Sequence, residues 1–342
     1  MTGVRQEELF FSNGDVKLAG TLMLPDNEGP HPAMVTIHGS GQSHRGSGDY
    51  AYDEAYIRHF VSQGIATLFY DKRGNGNSSG DWRLYNDRPH SFPDLAQDAI
   101  EAVRLLRQRD DISPDQIGVW GISQAGWLGP MAAALTTEIA FVIALSAPGV
   151  TPSAQMNFYI SNSLRREGCA DNEIEEALEV RRRSAGLWRA FALTGEGWDE
   201  YEAIVESARD KPWLKWIVSP SDLEGDGLRA NTESLIEIEL QIPDPQDFDV
   251  DPKPILEQVH CPVLAVWGDA DILVPVDKSV AVFEQSLKKA GNSDVTLTVL
   301  PKASHGLMVP TSKPTASMID RFAPDLFDTI TDWLLERVDV SR

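Results

Sequence analysis

The segment Gly121-Ile122-Ser123-Gln124-Ala125-Gly126 follows an apolar strand pattern at residues 117–120 and opens a helical one. A serine at such a strand-to-helix turn sits on sharp, strained backbone that lifts its hydroxyl above the sheet edge. Beside a base that can take its proton, that hydroxyl would attack an acyl carbon. Small residues two before and two after the serine let strand and helix approach; Gly121 meets this need, while Ala125 adds one methyl where G-x-S-x-G has glycine. The bland alternative is a Ser-containing helix start with no chemistry. A base and an acid are then needed from elsewhere in the chain.

Of seven histidines, only His305 combines a strand-end position with a following glycine, in Lys302-Ala303-Ser304-His305-Gly306. The acid is sought in Trp267-Gly268-Asp269-Ala270-Asp271-Ile272-Leu273-Val274-Pro275, past another apolar strand. Asp271 lies deeper in that loop and is preferred; Asp269 is expected to bond loop amides. Ser123, Asp271 and His305 follow the chain order Ser…Asp…His of one known triad arrangement. His38-Gly39-Ser40-Gly41 ends a third apolar strand. Its glycine turn would aim the Ser40 N–H at the nucleophile as second oxyanion donor, with the Gln124 N–H the first. Gly39 and Gly41 shape that loop, and Arg45 would brace it or touch substrate. A dinucleotide loop is excluded, because His44 stands where G-x-G-x-x-G needs its third glycine. Asp71, Arg73 and Ser78, in Asp71-Lys72-Arg73-Gly74-Asn75-Gly76-Asn77-Ser78, read as a polar structural turn.

These side chains need strands to carry them. Residues 7–13 and 16–25 read as an antiparallel pair joined at Asn13-Gly14-Asp15. Further strands are expected at 33–37, 66–70, 117–120, 140–145, 261–267 and 295–300, alternating with helices at 95–106, 279–290 and 323–338. Such alternation signals a mostly parallel sheet flanked by helices. The rhythm breaks from about residue 151 to 259, where helices at 173–184 and 198–208 and a Pro- and Asp-rich linker at 241–254 are expected. The organisation is therefore an eight-stranded α/β core over residues 1–150 and 252–342, interrupted by a helical cap at 151–251. The cap is expected to cover the site, its Trp188, Trp198, Trp213 and Trp216 either lining an acyl pocket or building the cap's own core.

With these pieces the chain resembles the α/β-hydrolase family, in its esterase and serine-aminopeptidase-like branch. The matching residues run from His38 to Gly41 with Arg45, from Asp71 to Ser78, Gly121 to Gly126, Gly268 to Pro275, and Ser304 to Gly306. The resemblance implies an acyl hydrolase that needs no cofactor or metal, with Ser123, Asp271 and His305 catalytic and Ser40 and Gln124 forming the oxyanion hole. It implies carboxylesterase action on small to medium esters; thioester cleavage, acyl transfer and aminopeptidase action remain open for the same triad. A catalytically silent ligand-binding protein on the same fold is the non-enzyme alternative. Thirty Lys and Arg face 52 Asp and Glu, a formal charge of −22. That acidity argues against nucleic acid or an anionic membrane as partner. A small-molecule ester is the expected partner, with a homodimer allowed for. No apolar run of about 18 residues occurs, and the acidic N-terminus reads as mature, so a cytoplasmic location is expected. Cys169 and Cys261 lack metal-site spacing and are expected to be free thiols, Cys261 at the buried start of a strand.

Overall fold

Short runs of β-branched, aliphatic and aromatic residues, punctuated by glycine and proline, make the interior strands of this protein. The computed structural model describes residues 4–46, 50–81, 91–224, 227–229, 249–310 and 318–340. Its eight strands are β1 (Val4–Asn13), β2 (Val16–Pro25), β3 (His31–Ile37), β4 (Ala66–Tyr70), β5 (Ile112–Ile122), β6 (Val142–Leu145), β7 (Val263–Gly268) and β8 (Val295–Leu300). They form one sheet in the order β1-β2-β4-β3-β5-β6-β7-β8. The β1–β2 and β2–β4 pairs are antiparallel and the others parallel. β3, β4, β6 and β7 are buried along their whole length. Such continuous apolar runs are what a parallel sheet covered on both faces requires.

Three flanking helices follow the expected periodicity: Phe92–Arg107, Val276–Lys289 and Leu326–Leu335. A fourth, Ala125–Leu135, begins two residues after Ser123. Helix Tyr50–Ser62 was not anticipated; it buries Ala55, Tyr56, Ile57, Phe60 and Val61 in a core that also holds Trp120 and Val266. The chain passes from β3 to β4 on one side and returns to β5 on the other, so the loops after β3 and β5 diverge. Open α/β sheets bind ligands at that switch, beyond the strand C-termini.

The chain divides into two compact units, Met1–Thr151 with Asp251–Arg342, and Pro152–Val250. The second unit contains helices Pro152–Arg166, Asp171–Thr194 and Trp198–Ser207. The first was not anticipated, and the second is longer than the expected 173–184. Trp198 and Trp213 are buried in that unit's own core, with Trp188 and Trp216 packed against it. All four tryptophans are thus engaged in the unit's own packing. Of the expected linker at 241–254, residues 241–248 lie outside the described residues.

Candidate active site

β5 delivers Ser123. The strand ends at Ile122, and Ser123 takes φ +61° before the helix starts. A left-handed conformation costs an L-residue about 1–2 kcal/mol, so the surroundings must hold it. The Ser123 N–H donates to the Leu145 carbonyl at 2.9 Å, and the Ser123 carbonyl accepts from Gly126 N at 2.8 Å. Gly121 explains why Ala125 is tolerated. A Cβ added at Gly121 would stand 2.2 Å from the Ile37 carbonyl oxygen and 2.5 Å from the Ala125 methyl. At Gly126 it would stand 2.4 Å from Ala147 Cα. The close approach is therefore made at Gly121 and Gly126, and the methyl of residue 125 occupies room that Gly121 leaves. Gly121→Ala is expected to destabilise the fold by about 2–3 kcal/mol through overpacking, read from urea unfolding. Adding Ala125→Gly will recover only part of the loss, because the Ile37 carbonyl remains in the way. Full recovery would contradict this account.

The loops after β7 and β8 carry Asp271 and His305. Gly268 and Leu300, at the strand ends, are register partners. The two loops that follow are cross-tied: Asp269 N donates to Leu300 O at 3.1 Å, Ala270 N to Ala303 O at 3.0 Å, and Lys302 N to Asp269 Oδ1 at 2.5 Å. Asp269 thus bonds a loop amide, as its position suggested. Asp271 Oδ2 lies 2.7 Å from His305 Nδ1, with the carboxylate fully shielded and the imidazole side chain 18% exposed. Asp271 Oδ1 accepts from Leu273 N at 2.7 Å and Val274 N at 3.0 Å. An ionised carboxylate only accepts, so His305 Nδ1 carries the proton toward Asp271 and leaves Nε2 with its lone pair.

Ser146 supplies a link that the sequence reading missed. Its hydroxyl donates to the His305 carbonyl at 2.7 Å, and its own N–H donates to Val266 O at 2.7 Å. Ser123 and His305 are thereby anchored to consecutive residues, Leu145 and Ser146. No hydrogen bond joins the Ser123 hydroxyl to the imidazole among the described residues; such contacts often tighten only when substrate binds.

The loop after β3 stands beside this turn because Ile37 pairs with Gly121. Ser40 is exposed and Gln124 is buried at 1%. Among the described residues, neither the Ser40 N–H nor the Gln124 N–H donates a hydrogen bond to the protein. A buried backbone donor with no protein partner is left for water, a ligand or a developing oxyanion to use. Lys72, 1% exposed, donates from Nζ to Gly39 O at 3.2 Å, Gly41 O at 3.1 Å and Gln124 Oε1 at 2.9 Å. His38 lies beneath, its Nε2 2.5 Å from Tyr70 O. Burial, aided by the Lys72 charge, lowers the His38 pKa to about 4. The unfolded chain therefore takes up a proton at about pH 6.5 that the folded one refuses until about pH 4. Its contribution is fully present above pH 6.5 and is lost as pH falls across that window, by about 3 kcal/mol in all. In urea titrations at pH 7 and pH 4, His38→Gln is expected to lose less stability than the parent by about that amount. Equal losses would refute it.

Arg45 braces the loop. Its backbone N–H and its Nε donate to Asp71 Oδ1 at 2.8 and 3.0 Å, Nη2 donates to Asp71 Oδ2 at 3.1 Å, and Nη1 reaches Glu8 and Thr21. Burial alone would raise the Asp71 pKa; the Arg45 bonds and the Asn77 amide outweigh it and hold the carboxyl below its usual range. Arg73 forms a buried pair with Asp98 at 2.5 Å, and the Ser78 hydroxyl donates to Asp71 O at 2.6 Å. The polar turn after β4 is therefore structural apart from Lys72. Cys261 is half-buried and precedes β7 rather than opening it, because Pro262 follows it and the ladder starts at Val263. Desolvation pushes its thiol up to about 11. Among the described residues no group of three or more His, Cys, Asp or Glu gathers to hold a metal, and no helix is long and apolar enough to cross a membrane.

A family model described as X-Pro dipeptidyl-peptidase (S15 family) matches residues 13–306. The chain is 31% identical over 140 residues to the thiohydrolase aneE of Aspergillus aculeatus, covering 40% of this chain and 39% of that protein. It is 30% identical over 167 residues to the esterase EstD of Thermotoga maritima, covering 48% and 38%. The match thus spans less than half the length of either relative. An esterase structure from Pyrococcus furiosus superposes with a TM-score of 0.58 at 15% identity, covering 99% of this chain and 92% of that one. At that identity the likeness speaks for the fold, that of the α/β-hydrolases.

Proposed function

The chain belongs to the X-Pro dipeptidyl-peptidase (S15) family, and from that premise we propose that it is a serine carboxylesterase acting through Ser123, His305 and Asp271. The observation that carries this reading is the 2.7 Å contact of His305 Nδ1 with a fully shielded Asp271 carboxylate, on the sheet edge that presents Ser123 at φ +61°. His305 Nε2 takes the Ser123 proton as Oγ bonds to the acyl carbon. The carbonyl oxygen, now an oxyanion, is received by the Ser40 and Gln124 N–H groups. The C–O bond to the leaving alcohol breaks as the imidazolium returns the proton to it. Water, deprotonated by the same Nε2, attacks the acyl-serine, and the acid leaves as Ser123 recovers its proton.

Esters are preferred over peptides in this reading because one matched relative bears the name esterase. The second reading, thioester cleavage, rests on the similarity to a thiohydrolase. The leaving group is set by the pocket rather than the triad. A panel of p-nitrophenyl esters, acyl thioesters and Gly-Pro-p-nitroanilide tests the choice. The esters are expected to exceed the anilide in kcat/KM by about a hundredfold or more, that is, by about 3 kcal/mol in transition-state binding. Preference for the anilide would move the assignment to a peptidase, and preference for the thioesters to a thioesterase.

A further inference from the structure

Taking the serine-hydrolase reading as its basis, we propose that Lys72 is the positioning residue of the oxyanion hole, tying the β3 loop to the helix start so that both N–H donors face one point. Gly39 C=O and Ser40 N–H belong to one planar trans peptide, so they point in opposite directions. Holding the Gly39 carbonyl on Lys72 Nζ, at 3.2 Å, therefore aims the Ser40 N–H away from Lys72. Glycines flank Ser40 on both sides, and Gly41 sits at φ +83°. Few steric barriers would otherwise stop this peptide from rotating and presenting its oxygen to an oxyanion, which would repel it. The Gly41 carbonyl, at 3.1 Å from the same nitrogen, pins the far side of the loop.

The third bond reaches the other donor. Lys72 Nζ lies 2.9 Å from the Gln124 side-chain oxygen, and the Gln124 backbone N–H is the donor at the helix start. One buried ammonium thus spans the two segments that must converge, segments whose sequence positions are far apart. Its charge also lies behind the Ser40 donor, where it favours negative charge developing in front of it. Lysine is rarely buried, and here three of its contacts are to the loop and residue that the proposed chemistry uses.

The test is Lys72→Met, assayed on p-nitrophenyl acetate and normalised to the serine titrated by a fluorophosphonate. The kcat per titrated serine is expected to fall about 30- to 100-fold, approaching the loss of one oxyanion donor, with KM changed less than about threefold. Affinity for an alkyl boronic acid, whose serine adduct is a tetrahedral anion, should fall in parallel with kcat/KM. A purely structural lysine would lower the titratable fraction and leave the normalised kcat within about threefold; that result overturns the proposal. Should Lys72→Met fail to fold, Gln124→Met removes one Lys72 partner while keeping the backbone N–H, and is expected to lower kcat about three- to tenfold with the same pattern. An unchanged kcat there overturns it equally. Failure of the parent protein to react with the fluorophosphonate would instead remove the serine-hydrolase reading itself.

Discussion

Ser123→Ala is expected to lower kcat about a million-fold, the scale seen when a triad nucleophile is removed, while leaving the unfolding midpoint within about 3 °C of the parent. The two halves have separate causes. Turnover falls because, in the proposed reaction, the bond to the acyl carbon is made by Oγ, and alanine has no nucleophilic atom in its place. Stability holds because the described hydrogen bonds include none to the Ser123 hydroxyl; its backbone N–H and carbonyl carry the turn, and alanine keeps both. Ser123→Gly extends the test. At φ +61° a residue without Cβ is relieved of about 1 kcal/mol of strain, so the glycine variant should be inactive yet more stable than the alanine one. Covalent labelling by a fluorophosphonate, seen in the parent and lost in both variants, separates a working nucleophile from a silent receptor. Esterase activity surviving in either variant would refute the nucleophile assignment.

The strands were legible because buried parallel strands leave unbroken apolar runs. All eight appear near their expected places, with ends shifted by a few residues, the largest shift being β5, which begins at Ile112 rather than 117. Residue type and strand-end position together singled out Ser123, Asp271 and His305. Helix Tyr50–Ser62 does carry helical spacing, with Ile57, Phe60 and Val61 at i, i+3 and i+4, but the tyrosines, histidine and acids around them hide it by lowering the contrast between its two faces. Lys72 and Ser146 were hidden for another reason. Each acts by touching a residue far away in the chain, Lys72 reaching Gln124 and Ser146 reaching His305. No local spacing encodes such contacts; they exist only once the sheet has brought strand ends together. Ala125 is the converse case. It looked like a defect in the serine turn, and the tight contact proves to lie with Gly121 and Gly126 instead.

Asp271→Asn should cost about ten-thousand-fold in kcat, about a hundredfold less than losing the nucleophile, although it exchanges only one oxygen for a nitrogen of similar size. The hydrogen bonds around the carboxylate dictate the outcome. Oδ1 accepts from Leu273 N and Val274 N, so an amide at this position must turn its carbonyl oxygen to those two donors. Its NH2 is then left facing His305 Nδ1 across the 2.7 Å contact. Two donors cannot share that contact, so the ring must present Nδ1 as an acceptor and carry its proton on Nε2. Nε2 is the nitrogen that must accept from Ser123, and a protonated Nε2 cannot. The fold should be little disturbed, because both backbone donors keep their acceptor. Fluorophosphonate labelling should slow in step with turnover, since both need the same deprotonation, and 15N NMR of the imidazole should show the proton moved from Nδ1 to Nε2. Turnover within about tenfold of the parent, with the tautomer unmoved, would mean that Asp271 does not set the state of His305.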